Sequence, residues 1–225
     1  MFTPNTNPVS LPQLRLLPYN SYARANHNAD PLRFYYWPLL GRVYRKRVEQ
    51  CLAQCRGGQR ILEVGFGSGV TFLNLHELYE EIYGVDLCSA VAEVAETFKR
   101  RGITTHLRSG NVLDLPYPEN CFDSVLLVSI LEHLTPCDLA RAVQEVHRVL
   151  KPRGQMVYGV PIDRPLMVFL FRLLCSDIRR HHFSTEQEVR TAANGCLTLV
   201  TVNRLKTWLP FVGAVYEVGH FVKNA

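Results

Sequence analysis

The stretch RILEVGFGSG, Arg60 to Gly69, sets apolar residues around one acid, Glu63, and then places Gly65, Gly67 and Gly69 at alternate positions. Ile61, Leu62 and Val64 read as a short buried strand, and VTFLNLHELYE, Val70 to Glu80, reads as the helix that follows. Glycines at a strand-to-helix turn adopt backbone conformations closed to other residues and let a ligand approach the main chain. A dinucleotide fingerprint, G-x-G-x-x-G, would need its third glycine at position 70, which is Val70. Glu63 is a second objection, because a carboxylate beside the loop is a poor neighbour for a pyrophosphate. It suits a ligand carrying a positive ammonium group.

Outward from this turn the chain alternates. EIYGVDL (81–87) is a second strand, SAVAEVAETFKRRG (89–102) a second helix closed by a glycine, ITTHLRS (103–109) a third strand and FDSVLLVSI (122–130) a fourth. TPCDLARAVQEVHRVL (135–150) is a helix with Thr135 as its N-cap and Pro136 at its first position. GQMVYGVP (154–161) is a fifth strand, and CLTLVTVNRL (196–205) and GAVYEVGHFV (213–222) form a pair at the sheet edge. This rhythm calls for a doubly wound α/β fold, a mostly parallel sheet with helices on both faces. Such sheets bind ligands beyond the carboxyl ends of their strands, where strand order reverses. Asp86 ends the second strand there. An acid at that place can accept both hydroxyls of a ribose; the bland alternative is a turn residue.

With 225 residues, 47% hydrophobic and 20% charged, the chain suits one domain with a sizeable core. Residues 1–37, rich in Pro and Asn, read as an N-terminal arm outside the core, and 38–225 as a single domain with a lid or substrate insertion at about 162–183. From Pro38 to Cys55 apolar residues recur at helical spacing. The net charge of +5 is too mild for a nucleic-acid-binding composition. Arg42, Arg45, Lys46 and Arg47, and again Arg179 and Arg180, read as solvated helix faces, with a phosphate or anionic-lipid contact as the alternative. Seven cysteines without a paired framework indicate free thiols in a reducing compartment, and Cys51 and Cys55 lack the second pair a zinc site would need. The N-terminus has no continuous apolar core of a secretory signal, and no apolar run approaches the ~20 residues of a membrane span. A cytoplasmic protein is expected. The absence of acids before Asp30 leaves an organellar transit segment open.

ILEVGFGSG, YGVDL, GNVLDLPYPENCFDSVLLVSILEHL and EVHRVLKPRGQMVYGVP, in that order, resemble successive motifs of the class I S-adenosylmethionine-dependent methyltransferases. The resemblance covers about residues 60–161 and is strongest to the branch holding quinone-biosynthesis and other small-molecule enzymes. It implies the Rossmann-like methyltransferase fold, seven strands with the last antiparallel. It also implies that Glu63 and the loop Gly65, Phe66, Gly67 and Gly69 hold the methionine moiety of S-adenosylmethionine, with Asp86 on the ribose. Leu87 would pack on the adenine, Asn111 and Val112 would edge it, and Ser129 would line the cofactor floor. Tyr19 and Tyr22 of the arm would close over the cofactor. Relatives often carry Asp where this chain has Asn111, whose carbonyl can still accept from the adenine amino group.

Methyl transfer from a sulfonium needs the nucleophile held ~3–3.5 Å from the methyl carbon and in line; a general base is optional. The candidates are His133, His181 and His182. The D/N-P-P-Y-type motif of base and amide methyltransferases is replaced here by VSILEH (128–133), so a small-molecule acceptor is expected and nucleic acid is not. The apolar segment PLMVFLFRLLC, Pro165 to Cys175, favours an apolar or lipid-like acceptor, with a plain core helix as its alternative and peripheral membrane contact left open. Two rival classes are an NAD(P)-dependent oxidoreductase, disfavoured by Val70 and Glu63, and a non-catalytic cofactor-binding relative that supports a partner enzyme. Acceptor atom, oligomeric state and pathway are not written in the sequence.

Overall fold

A computed structural model of the chain describes residues 12–23, 31–38, 40–87, 90–162, 183–206 and 213–225. Its centre is a seven-stranded sheet in the order β3-β2-β1-β4-β5-β7-β6. The strands are β1 (Gly58–Val64), β2 (Tyr79–Asp86), β3 (Thr105–Ser109), β4 (Phe122–Val128), β5 (Leu150–Pro161), β6 (Thr198–Lys206) and β7 (Ala214–Val222). The first five are mutually parallel, and β7 runs antiparallel between β5 and β6. Strand order reverses between β1 and β4, which opens a crevice beyond their carboxyl ends.

The central strands are nearly continuous runs of apolar residues because both faces of the sheet are covered. Alternate side chains go to opposite layers. Ile61, Ile82, Leu126 and Val157 join the core beneath α1 (Leu40–Leu52), α2 (Phe72–Leu78) and α3 (Val91–Lys99). Leu62, Val85, Leu127 and Tyr158 join the core beneath α4 (Pro136–Val149) and α5 (Glu186–Asn194). Thr135 caps α4 as expected, its hydroxyl accepting from the Asp138 amide. A capping box of Thr185 and Glu188 starts α5.

Three expectations shift. The helix after the glycine loop is one turn shorter than its sequence pattern, because Tyr79 is extended, pairs with Gly58 and starts β2. Its buried ring sends the hydroxyl to Ser124 at 2.8 Å, a contact worth more than another helical residue. β5 begins at Leu150, four residues early, and absorbs the extra length in a register shift between Phe122 and Ser124. The arm is not outside the core: Leu14, Leu17, Tyr22 and Tyr35 are buried against α1, α2 and α3. Among the described residues, no helix is long and apolar enough to cross a membrane.

Candidate cofactor crevice and acceptor side

The turn after β1 is built on left-handed backbone, with φ of 73° at Gly65, 51° at Gly67 and 74° at Gly69. At Gly65 a side chain is excluded twice, since its Cβ would stand 2.0 Å from the Ile130 side chain. The Gly65 amide donates to Val85 O at 2.7 Å, tying the loop to β2, and the Gly67 amide donates to Asp86 Oδ2 at 2.8 Å. Phe66 turns inward, 2% exposed and 5.9 Å from the Phe72 ring, so the loop offers backbone and not this side chain to the crevice. Val70 lies past the last glycine, at the entry to α2, and confirms that the turn is not the dinucleotide version.

Glu63 is 3% exposed on the layer that faces α1 and α2. Burial pushes its carboxyl up to about 8; donation from the Thr71 hydroxyl opposes the rise and the negative Asp86 adds to it. A buried acid held this way stays protonated near neutrality until a cation arrives. Asp86 is half-buried at the tip of β2, and next to it Leu87 is 67% exposed, a large apolar side chain in the open beside a carboxylate. Asn111 is exposed, and its Oδ1 accepts from the Leu113 amide at 3.0 Å, while Val112 is buried. The Asn111 carbonyl is thus already engaged in a local turn, with one lone pair left over.

Ser129 follows β4 with φ of 56°, unusual for a residue with a side chain and the kind of strain that marks functional turns. Its amide donates to Gly159 O at 2.8 Å, and its hydroxyl lies 2.9 Å from the Tyr216 hydroxyl. Tyr216, on β7, is fully buried, and burial pushes its pKa well up, so it stays a neutral hydroxyl. It fits because Gly159 has no side chain: a Cβ there would meet the Tyr216 hydroxyl at 2.6 Å and Cys51 Sγ at 2.7 Å. The guanidinium of Arg47 lies over the Tyr216 ring, 5.1 Å from its centre, and also over the Tyr44 ring, 3.9 Å from its centre.

Arg47 corrects the reading of its cluster as one solvated face. Arg42 and Lys46 are exposed, and Arg45 donates from Nε to Tyr35 O at 2.9 Å, but Arg47 turns toward the sheet. The signal was there: position 47 is three residues after Tyr44 and four before Cys51, which is fully buried. The Tyr216 contact had no such signal, because it depends on β7 inserting beside β5. His133 is exposed in the short 3-10 turn Leu131–His133 after β4, at the crevice edge. His181 and His182 lie outside the described residues, as do Arg179 and Arg180. Tyr22 is 5% exposed, with its hydroxyl accepting from the Leu17 amide at 3.1 Å and its ring 6.5 Å from Phe98. Tyr19 is exposed and packs edge-on against Tyr36.

The turn after β1 thus brings together a buried acid, a glycine loop, Asp86 at the tip of β2 and the neighbouring Leu87. Residues 62–158 match the family model described as a methyltransferase domain. The chain is 34% identical over 107 residues to the uncharacterized methyltransferase YcgJ of Bacillus subtilis, covering 47% of this chain and 42% of that protein. It is 31% identical over 112 residues to the demethylmenaquinone methyltransferase of Symbiobacterium thermophilum, covering 45% and 42%. The alignments thus span well under half of these relatives' own length. Among solved structures, the N-methyltransferase NodS of Bradyrhizobium japonicum, in complex with S-adenosyl-L-homocysteine, superposes with a TM-score of 0.70 at 20% identity, over 92% of this chain and 98% of that one. Geranyl diphosphate C-methyltransferase of Streptomyces coelicolor gives 0.67 at 16%, over 87% and 84%. At these identities the likeness is one of fold.

Proposed function

We propose that this chain, whose residues 62–158 match the methyltransferase domain model, is a class I S-adenosylmethionine-dependent methyltransferase that transfers the methyl group of that cofactor to a small-molecule acceptor. The observation that carries the reading is Glu63: a buried carboxyl group behind a left-handed glycine turn, protonated on its own and able to ionise against a bound ammonium. The same feature disfavours the NAD(P)-dependent oxidoreductase. The intact loop and its anchor on Asp86 disfavour a relative that has lost the cofactor.

The bound cofactor supplies an activated methyl group, so the protein's work is placement and exclusion of water. Glu63 would neutralise the ammonium, the loop Gly65–Gly69 would hold the rest of the methionine moiety, and Asp86 would take the ribose hydroxyls. Leu87 and Val112 would flank the adenine, with Asn111 at its edge. Ser129, at the end of β4, would floor the cofactor where the acceptor enters. His133 stands at the crevice edge as the described candidate for a general base; His181 and His182 remain candidates from the sequence alone. The preference for an apolar or lipid-like acceptor rests on Pro165 to Cys175, outside the described residues. A reducing, cytoplasmic setting fits the free thiols found at Cys51, Cys55, Cys121, Cys137 and Cys196.

The test is calorimetric titration with S-adenosylmethionine, S-adenosylhomocysteine and NADH, followed by transfer of a radiolabelled methyl group into a metabolite extract. Binding of the first two and label in the extract are expected. Binding of NADH alone, or none of the three, would overturn the reading.

A further inference from the structure

Several cations of the described structure are matched to acids. Arg190 and Arg204 both pair with the buried Glu217, Arg148 with Glu145, and Arg60 with Glu81. Arg47 is the exception that lies near the chemistry. Its Nε is buried and has no hydrogen-bond acceptor among the described residues, while the side chain as a whole keeps partial exposure. The guanidinium carbon lies 3.9 Å from the Tyr44 ring centre and 5.1 Å from that of Tyr216. Contact with a ring does not satisfy the Nε–H, which still needs an acceptor. A buried donor without a partner costs stability, and such donors are rare in folded proteins unless something completes them.

We propose that Arg47 binds the methyl acceptor through a carboxylate on it, so that the substrate is a carboxylic acid; this rests on the methyl-transfer reading above. The position supports it. Tyr216 touches Arg47 with its ring and Ser129 with its hydroxyl, so the guanidinium lies one aromatic ring from the end of β4, where the methyl group is delivered. The planar fork of an arginine matches a carboxylate with two parallel hydrogen bonds. A dianionic phosphate fits less well. Arg45 is turned to the Tyr35 carbonyl, so Arg47 has no second guanidinium beside it to share a dianion, and Glu132, which acts electrostatically on Arg47, opposes a further negative charge. The Tyr216 hydroxyl, kept neutral by burial, adds no second charge for the acceptor to oppose.

The experiment divides a metabolite extract on an anion-exchange resin at neutral pH into retained and unretained fractions. Each is incubated with the full-length protein and S-adenosylmethionine labelled in the methyl group. Label is expected from the retained fraction, and prior treatment of that fraction with alkaline phosphatase should leave the signal intact. With the active fraction as acceptor, Arg47→Met should raise KM by about 10- to 100-fold, and Arg47→Lys by less, with calorimetric affinity for S-adenosylmethionine within about twofold of wild type. Label arising from the unretained fraction, loss of signal after phosphatase, or an unchanged KM in Arg47→Met would overturn the carboxylate proposal and leave methyl transfer standing. Should Arg47→Met fail to bind cofactor, Arg47→Lys decides: a raised KM at unchanged cofactor affinity supports the proposal and an unchanged KM overturns it. No label from either fraction would overturn the methyl-transfer reading and this proposal with it.

Discussion

The two walls of the crevice are built differently. The proposed cofactor wall, from Glu63 to Val112, comes from consecutive strands and turns: β1 hands the chain to the glycine loop, and Asp86 on the neighbouring strand clasps that loop at Gly67. The proposed acceptor wall joins parts far apart in the chain, with Arg47 on α1, Ser129 after β4, Gly159 on β5 and Tyr216 on β7. One wall is a motif and the other is a consequence of packing. The cofactor wall should therefore break at single positions with large effects. The acceptor wall should yield graded changes in substrate use.

The largest break is expected at Gly65→Ala. The added Cβ would stand 2.0 Å from Ile130 at a φ of 73°, so the loop must leave its conformation. Cofactor affinity should fall more than about 100-fold, roughly 3 kcal/mol, with a lowered melting temperature. Wild-type affinity in this variant would show that the turn does not touch the ligand. Next comes Asp86→Ala, which removes both the proposed ribose acceptor and the anchor of the Gly67 amide. A loss of about 1.5–3 kcal/mol in cofactor binding is expected by calorimetry. Unchanged affinity there would move the ribose contact to another residue.

Glu63→Gln separates binding from stability. The carboxyl titrates at about 8 in the folded protein against an ordinary value of 4.5, so between those values the folded state holds a proton that the unfolded state has released. Its contribution to stability is complete below the ordinary value and is lost as pH rises toward about 8. The glutamine variant cannot ionise. Near neutral pH it should be more stable than wild type by roughly 1–3 kcal/mol, measured by chemical denaturation, and its stability should vary less with pH. Its affinity for S-adenosylmethionine should nevertheless be about tenfold weaker. Wild-type affinity should rise with pH up to about 8, because the ammonium favours the ionised carboxylate, and that slope should vanish in the variant. A variant that is less stable and binds equally well would remove Glu63 from the site.

These differences follow what the sequence could and could not say. Seven strands, their parallel order and the capped helix at Thr135 were legible, because local periodicity and turn residues encode them. The positions of Glu63, the glycine loop and Asp86 in the fold were legible for the same reason: each lies at or beside a strand end whose identity is local. The start of β2 at Tyr79 was not, since the gain comes from a hydroxyl reaching Ser124, 45 residues away. Arg47 was masked by its neighbours. Three cations beside it suggested solvent, although its spacing from Tyr44 and Cys51 set it on the inner side of the helix; its contact with Tyr216 was not legible, because that depends on β7 lying beside β5. The arm was misjudged because its prolines and asparagines outnumber the few apolar residues that dock.

The smallest effect expected is at Tyr22, where the arm meets the domain. As a lid residue it would present its hydroxyl or ring to the cofactor, and its removal would weaken binding. The structure instead places it 5% exposed, accepting from the Leu17 amide, while the Tyr36 hydroxyl donates to the Leu17 carbonyl. Both backbone groups of Leu17 are thus satisfied by tyrosines, which fixes the arm where Leu14 and Leu17 enter the core. Tyr22→Phe keeps the ring against Phe98 and deletes one acceptor, leaving a buried amide unmatched. The loss should be about 1–2 kcal/mol of stability. Cofactor affinity should stay within about twofold of wild type, since the crevice contacts run through Glu63, the glycine loop and Asp86. Weaker cofactor binding with unchanged stability would make the arm a lid and extend the cofactor wall to a part of the chain with no motif of its own.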